Sequence, residues 1–201
     1  MAKHTMNNAF RVAAVALALG SAACHGPVAE TPPLAGARIG GPFVLTDQDG
    51  RRFSSASLAG RYPIFYFGYT FCPDVCPTDM QVLGKAMRLL EKSDPAKAAK
   101  FQPLFITVDP ARDTPPVLKQ FVAAFYPRLM GLTGTQAEID RVAKQFAVLH
   151  SAQAPTAGSN GYLVEHSRVT MLFGPDMKPI ALLPTDDTAE AVAAEIGKWV
   201  P

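Results

Sequence analysis

The sequence predicts an α/β domain, and three observations support this fold class. Short apolar runs alternate with segments in which apolar residues recur every three or four positions. Turn-forming residues, at Asp49-Gly50 and at Gly174-Pro175-Asp176, separate pairs of extended segments. The chain of 201 residues is 48% hydrophobic and 18% charged, so it can bury a core of its own and most simply forms one main domain.

The first half of the domain reads as a hairpin, a strand and a helix. After the hairpin around Asp49-Gly50, residues 62–70 (YPIFYFGYT) form an aromatic and aliphatic run that predicts a strand buried on both faces. After it, apolar residues from Met80 to Leu90 recur every three or four positions, which predicts a helix. This spacing places Met80 in the core, although its thioether could also bind a soft metal. Proline is tolerated at a helix start, so Pro77 is predicted as the first helical residue, with Cys76 at the N-cap.

The second half adds strands and capped helices. Strands are predicted at FQPLFITVD, LMGLTG, YLVEHS, RVTMLFG and PIALLP. Three helix starts are predicted from proline or capping signals: Thr114-Pro115, Thr135 with Glu138, and Asp187 with Glu190. This order predicts an α/β, thioredoxin-like fold with an N-terminal β-hairpin extension and an inserted hairpin or loop before the C-terminal helix.

The N-terminus has a different composition. Lys3 and Arg11 precede an acid-free apolar run and then small residues, so residues 1–23 are predicted to be an export signal. The apolar run offers about 12 residues where a membrane span needs about 20, which disfavours a permanent span without eliminating it. Residues 24–41, rich in Pro, Gly and Ala, are predicted to be a flexible tether with Cys24 as a candidate lipidation site, and residues 42–201 the functional domain.

Export has consequences for location and charge. The domain is expected at the periplasmic face of the cytoplasmic membrane, held by lipidated Cys24 or by an uncleaved N-terminal segment. Removing residues 1–23 deletes Lys3 and Arg11, so the formal charge falls from +2 to 0. A neutral domain gives no reason to propose nucleic acid as a partner.

Two cysteines stand at the end of the buried strand, in YTFCPDVCPTDM. Cys72 and Cys76 suit either a redox dithiol or a pair of metal-ligating thiolates, and a thiol at a helix N-terminus is expected to ionise more easily. Asp74 between them opposes this effect. A third metal ligand would come from His150, which reads as a solvated or capping residue, or from His166 at the end of a predicted strand.

Two thiolates and an imidazole are a soft ligand set. Such a set suits Cu(I) and can hold Cu(II) with a further weak ligand, whereas structural zinc prefers four protein ligands. Copper therefore fits better than zinc. A thiol-disulfide oxidoreductase that uses Cys72 and Cys76 as its catalytic dithiol is the alternative, and it has no evident need of His166.

Three segments together resemble the Sco/SenC family, thioredoxin-fold copper chaperones for cytochrome c oxidase assembly. They are YTFCPDVCPTDM, ITVDPARDTPPVLKQF and YLVEHS, and the resemblance covers about residues 40–198 in order. It implies Cys72, Cys76 and His166 as ligands of a copper ion, Cu(I) or Cu(II). Glu165 stands where the family usually has aspartate, which keeps the charge.

The resemblance also implies partners. Copper would be delivered to the binuclear copper centre of cytochrome c oxidase subunit II, and some members reduce the cysteines of that centre. Other periplasmic copper chaperones or thiol reductants are further expected partners, and the N-terminal anchor would attach the protein to a membrane.

The residues around the cysteine loop are expected to have supporting roles. In the VDPARDTP segment, Asp109 and Asp113 are expected to order the loop, with Arg112 as an internal partner. Tyr69 and Phe71 are expected to form the wall of the site.

Overall fold

A seven-stranded sheet is the centre of the computed structural model, which describes residues 30–154 and 161–200. Its strand order is β2-β1-β5-β4-β3-β8-β9, in which β3, β4 and β5 are parallel and the other pairs are antiparallel. The strands of this sheet are β1 Val44–Asp47, β2 Arg52–Ser54, β3 Tyr62–Gly68, β4 Phe101–Thr107, β5 Met130–Thr133, β8 Thr170–Phe173 and β9 Pro179–Leu183.

Two short strands form a separate sheet, and helices complete the domain. Strands β6 His150–Ala152 and β7 Val164–His166 pair antiparallel, so that His150 lies opposite His166. The helices are α1 Val75–Ser93, α2 Pro95–Ala98, α3 Pro115–Phe125, α4 Gln136–Gln145 and α5 Ala189–Trp199, and a 3₁₀ turn spans Ser55–Leu58. The predicted hairpins and the predicted α/β class are therefore present.

The core lies around β3. Ile64 through Phe67 are completely buried, which confirms the prediction of a strand covered on both faces. The Phe65 ring packs against Phe146 from the end of α4 and against Phe173 from β8, with centroids 4.7 and 5.2 Å apart. Helix α1 covers one face with the predicted apolar stripe, which includes the fully buried Met80. This packing fixes α1 against the sheet and so positions its first turn.

Helix α1 begins two residues earlier than predicted. Its first residue is Val75 and its N-cap is Asp74, so Cys76 lies inside the first turn and Pro77 is the third helical residue. The prediction of Pro77 as the first residue was wrong because the N–H groups of the whole first turn lack an intrahelical acceptor, and proline therefore loses no hydrogen bond there.

The other helix starts follow the sequence closely, with one exception. Thr114 precedes Pro115 at the start of α3, and Thr135 and Glu138 form the predicted capping box of α4. The cap of α5 is Thr188, whose Oγ1 accepts from the Ala191 amide at 3.1 Å. Asp187 was the predicted cap, but its carboxylate instead accepts a hydrogen bond from the Thr188 amide.

Residues 32–41 of the predicted tether belong to the compact domain. The compact unit starts at Pro32, ten residues before the predicted boundary. The Leu34 amide donates to the Ile180 carbonyl at 3.0 Å and the Gly40 amide to the Gln145 carbonyl at 2.7 Å. A Cβ atom on Gly40 would lie 2.7 Å from the Phe173 ring. Backbone hydrogen bonds and close glycine packing hold this segment, and neither leaves a periodic pattern in the sequence.

The export signal of residues 1–23 and Cys24 lie outside the described residues, so both stay predictions. Among the helices of residues 30–154 and 161–200, none has the length and apolar content needed to cross a bilayer.

Candidate metal centre

The carboxyl end of β3 carries both cysteines toward α1. Cys72 lies in the loop after β3 and is half-buried, while Cys76 in the first turn of α1 is fully buried. Gly68, the last residue of β3, permits this approach, because a Cβ atom there would lie 2.9 Å from Cys76 Sγ and 2.7 Å from the Tyr66 ring. Glycine is thus required where the Cys76 sulfur approaches the strand.

His166 meets Cys76 from the other side. Its Nε2 lies 3.3 Å from Cys76 Sγ, and its Nδ1 lies 3.1 Å from the Ser167 carbonyl. A carbonyl only accepts hydrogen bonds, so Nδ1 carries the proton and Nε2 presents a lone pair toward the sulfur. Burial lowers the pKa of His166 from its ordinary value of 6.5. The imidazole is therefore neutral near pH 7, the form that binds a metal.

Cys72 stands at the mouth of the site. The other two candidate ligands, Cys76 and His166, lie close to each other. Within the described ranges, however, no three His, Cys, Asp or Glu side chains lie close enough together to hold a metal ion. Cys72 and Cys76 are both free thiols that interact electrostatically. The structure thus pairs Cys76 with His166, and Cys72, in the loop before α1, would have to move closer to complete a three-ligand set.

The acidity of Cys76 is opposite to the sequence-based expectation. Burial, together with the neighbouring Cys72, raises the pKa of Cys76 from 9.0 to about 12. The expectation of an easily ionised thiol was wrong because desolvation of a fully buried sulfur outweighs the partial positive charge of the helix N-terminus. The Cys76 thiol is consequently protonated near pH 7 in the metal-free protein.

A buried carboxylate beneath Cys76 was missed by sequence reasoning. Asp79 is fully buried and receives hydrogen bonds from the Tyr66 hydroxyl at 2.9 Å and from Arg168 Nε and Nη2 at 2.9 and 2.6 Å. Arg168 comes two residues after His166, so this bidentate ion pair ties the His166 segment to α1. The signal was available: Asp79 lies three residues after Cys76, on the buried face of α1, where an acidic residue needs a partner.

The loop after β4 supports the cysteine loop as expected. Asp113 is buried and accepts hydrogen bonds from the Thr70 amide at 2.9 Å, the Thr70 hydroxyl at 2.6 Å and the Thr107 hydroxyl at 2.6 Å. Arg112 pairs with Asp109 and donates from Nη1 to the Tyr162 carbonyl at 2.9 Å. These contacts hold the loop after β3 against the loop after β4, which is the loop-ordering role expected for Asp109 and Asp113.

Aromatic side chains surround the site unequally. Tyr69 packs edge-on against the His166 imidazole at 6.0 Å, so it forms part of the wall as expected. Phe71 is 52% exposed and belongs to the outer border of the site, with the Arg112 guanidinium 5.1 Å from its ring. His150 lines the same cavity of about 620 Å³ as Cys72 and His166, and its Nε2 lies 3.3 Å from Asp140 Oδ1.

Comparison with known proteins identifies the family. The SCO1/SenC family model matches residues 31–201. The chain belongs to the SCO1/SenC family. It is 41% identical over 138 residues to the mitochondrial protein SCO2 of Saccharomyces cerevisiae, which covers 69% of this chain and 45% of that protein. It is 37% identical over 163 residues to SenC of Rhodobacter capsulatus, which covers 81% of this chain and 71% of that protein.

Two solved SCO1/SenC structures with copper bound share the fold. Bradyrhizobium japonicum ScoI with copper bound is 36% identical and superposes with a TM-score of 0.72 over 81% of this chain and 99% of its own. Yeast Sco1 with copper bound is 36% identical with a TM-score of 0.72 over 80% of this chain and 87% of its own. The predicted family and thioredoxin-like fold are confirmed. The match covers less than half the length of the yeast SCO1 and SCO2 proteins.

Proposed function

We propose that this protein is a copper metallochaperone that binds Cu(I) or Cu(II) through Cys72, Cys76 and His166. The single observation that supports it best is the 3.3 Å approach of His166 Nε2 to Cys76 Sγ. A half-buried, neutral imidazole beside a buried thiol is a soft donor pair, and the half-buried Cys72 supplies a second sulfur from the mouth. The copper-bound relatives support copper as the metal.

Delivery to the binuclear copper centre of cytochrome c oxidase subunit II is the finer part of the proposal. The protein BsSco, which is 24% identical, is described as a member of the Sco family of cytochrome c oxidase assembly proteins. Within this chain, the half-buried position of Cys72 supports transfer, because an incoming ligand can reach that sulfur before it reaches the fully buried Cys76. An export signal with lipidated Cys24 would place the domain on the periplasmic side, where such a partner is expected.

A second candidate function has an observation of its own. Cys72 is accessible and Cys76 is buried beside it, as in a dithiol whose outer sulfur attacks and whose inner sulfur resolves. A thiol-disulfide oxidoreductase would use this pair to reduce the cysteines of the copper centre or of another protein. This activity is compatible with copper transfer, since copper-binding cysteines must be reduced before loading.

Copper titration of the reduced and the oxidised protein tests the proposal. The reduced protein with Cys24→Ser should bind one copper ion per chain, and oxidation of Cys72 and Cys76 to a disulfide should abolish binding. Cys72→Ser and Cys76→Ser should each weaken binding by at least about a hundredfold, since each removes a thiolate ligand. Binding that survives oxidation unchanged would refute the assignment of both cysteines as ligands.

A further inference from the structure

Exposed apolar side chains collect at the mouth of the candidate metal centre. Six large apolar side chains are exposed in the described part of the chain, and the three with the largest exposed fractions border the mouth. They are Leu149 (79% exposed), Phe71 (52%) and Leu163 (50%), which we call the apolar rim. Leu149 and Leu163 line the cavity that contains Cys72, and Phe71 directly precedes that cysteine.

The side chains of the apolar rim contribute little to the core, because each leaves half or more of its surface exposed. Leu149 and Leu163 flank the short β6–β7 sheet, and backbone contacts hold Leu149 in place. The Ser167 amide donates to the Leu149 carbonyl at 2.9 Å, and the Leu149 amide donates to the Ser167 hydroxyl at 3.1 Å. Polar side chains would serve equally at such exposed positions. Exposed apolar residues that cluster around a reactive group indicate a surface that is covered during part of the working cycle.

The charges at the mouth have one sign. Asp74 and Glu165 line it and are exposed, and no Lys or Arg is among the described residues that line it. Two arginines lie nearby, and a carboxylate balances the charge of each. Arg168 pairs with Asp79, and Arg112, whose guanidinium lies 5.1 Å from the Phe71 ring, pairs with Asp109. The mouth is therefore apolar with acidic borders.

The apolar rim and its acidic borders favour one kind of binding partner over others. A second copy of the chain would bring Asp74 and Glu165 of two mouths together, which like-charge repulsion disfavours. An anionic membrane surface would be repelled for the same reason. A protein surface with apolar residues at its centre and lysine or arginine around it matches the mouth in both respects.

We propose that the apolar rim of Phe71, Leu149 and Leu163 is the docking surface for a protein that presents its own cysteines on an apolar patch bordered by Lys or Arg. That this partner accepts copper rests on the proposed function. When the rim is covered, water is excluded from Cys72, and the partner sulfur is held against Cys72, the less buried of the two described cysteines. Asp74 and Glu165 orient the approach.

A thiol-exchange assay tests the surface without copper. The probe is the pentapeptide Lys-Leu-Cys-Phe-Lys, amidated and acetylated, with its sulfur joined to 5-thio-2-nitrobenzoate. The Cys72 thiolate attacks the peptide sulfur, a Cys72–peptide disulfide forms, and the nitrothiobenzoate anion leaves and is measured by its absorbance. The full chain with Cys24→Ser is used throughout, and each rate is divided by the rate of the same peptide with glutathione.

The proposal predicts a rim-dependent and charge-dependent rate. Leu149→Ser and Leu163→Ser should each lower the normalised rate about tenfold, the effect expected for the loss of a central apolar contact. Leu89→Ser, at an exposed leucine on α1 away from the mouth, should leave it unchanged. The peptides Glu-Leu-Cys-Phe-Glu and Lys-Ser-Cys-Ser-Lys should react about tenfold more slowly, and the charge preference should shrink as salt is raised.

Other outcomes would overturn the proposal. Equal rates for all three peptides, or an equal loss in Leu89→Ser, would show that the rim does not select the partner. Self-association in sedimentation that Leu149→Ser abolishes would assign the rim to a second copy, and rim-dependent binding to phosphatidylglycerol vesicles would assign it to a membrane. Copper titration of the same leucine variants separates the two proposals: absence of copper binding in the parent protein refutes the proposed function, whereas a rate that does not depend on the rim refutes the docking surface.

Discussion

The Sγ atom of Cys76 and the Nε2 atom of His166 lie 3.3 Å apart, although 90 residues separate them in the chain. The first turn of α1 supplies the sulfur and the end of β7 supplies the imidazole. Gly68 makes room for the sulfur, and the Asp79–Arg168 ion pair ties the two segments together. Each of these supports can be removed separately.

Gly68→Ala should disturb the site directly. The added methyl group would lie 2.9 Å from Cys76 Sγ, closer than real Cβ contacts allow, so the sulfur must shift. We expect the affinity for copper to fall about tenfold, in line with the energetic cost of overpacking a close-packed site. The measurement is copper titration beside Gly197→Ala, where α5 offers open space. Equal affinities in both variants would contradict this role of Gly68.

Arg168→Leu should destabilise the fold by about 3 kcal/mol. The substitution leaves the fully buried Asp79 carboxylate with Tyr66 as its remaining hydrogen-bond donor among those seen in the structure, and an uncompensated buried charge is costly. Urea unfolding measures the loss. The double variant Asp79→Leu with Arg168→Leu should lose less than the sum of the single variants. Strict additivity would mean that the two side chains do not interact energetically.

Stability of the reduced, metal-free protein should decline in alkaline solution. The folded state raises the pKa of Cys76 from 9.0 to about 12, so it retains a proton that the unfolded state releases. This contribution is complete below pH 9 and is lost as pH rises toward 12. We expect the unfolding free energy to fall by about 1.4 kcal/mol between pH 8 and 10 from this thiol.

The control for this pH effect is Cys76→Ser, whose hydroxyl does not ionise in that range. Urea unfolding at pH 8 and pH 10 gives the difference for both proteins. The same decline in Cys76→Ser as in the parent protein would assign it to other groups.

Met80→Ala should separate packing from metal binding. Met80 is fully buried and follows Cys76 by one helical turn, so it could be suspected as a soft ligand. We expect a loss of about 2 to 5 kcal/mol in unfolding free energy, typical of truncating a buried methionine, with copper stoichiometry and spectrum unchanged. Met87→Ala, at an equally buried position of α1, is the matched control. A changed copper spectrum in Met80→Ala alone would identify the thioether as a ligand.

Much of the architecture was predictable because periodic burial leaves a pattern in the sequence. The run around Phe65 predicted a strand covered on both faces, and the spacing of Met80 with later residues predicted the buried face of α1. Features that rest on single contacts left no such pattern. The hydrogen bonds of Leu34 and Gly40, for example, hold residues 32–41 of the predicted tether to the domain.

The three-residue candidate site stays a prediction, two of whose members meet in the structure, and its electrostatics could not be predicted from the sequence. Cys72, Cys76 and His166 were proposed from residue types and from a family resemblance, and the structure brings Cys76 and His166 together. The pKa of Cys76 depends on how completely the core covers the sulfur, which one proline at a helix start could not reveal. The pairing of Asp79 with Arg168 requires the tertiary fold, since 89 residues separate them.

The most direct test of the three-ligand proposal is copper titration of His166→Ala. His150→Ala is the matched control, because His150 lies opposite His166 in the β6–β7 pair and lines the same cavity. The proposal predicts that His166→Ala weakens Cu(II) binding by at least about tenfold and shifts the thiolate-to-copper charge-transfer band, while His150→Ala changes neither. Unchanged affinity together with an unchanged band in His166→Ala would contradict it.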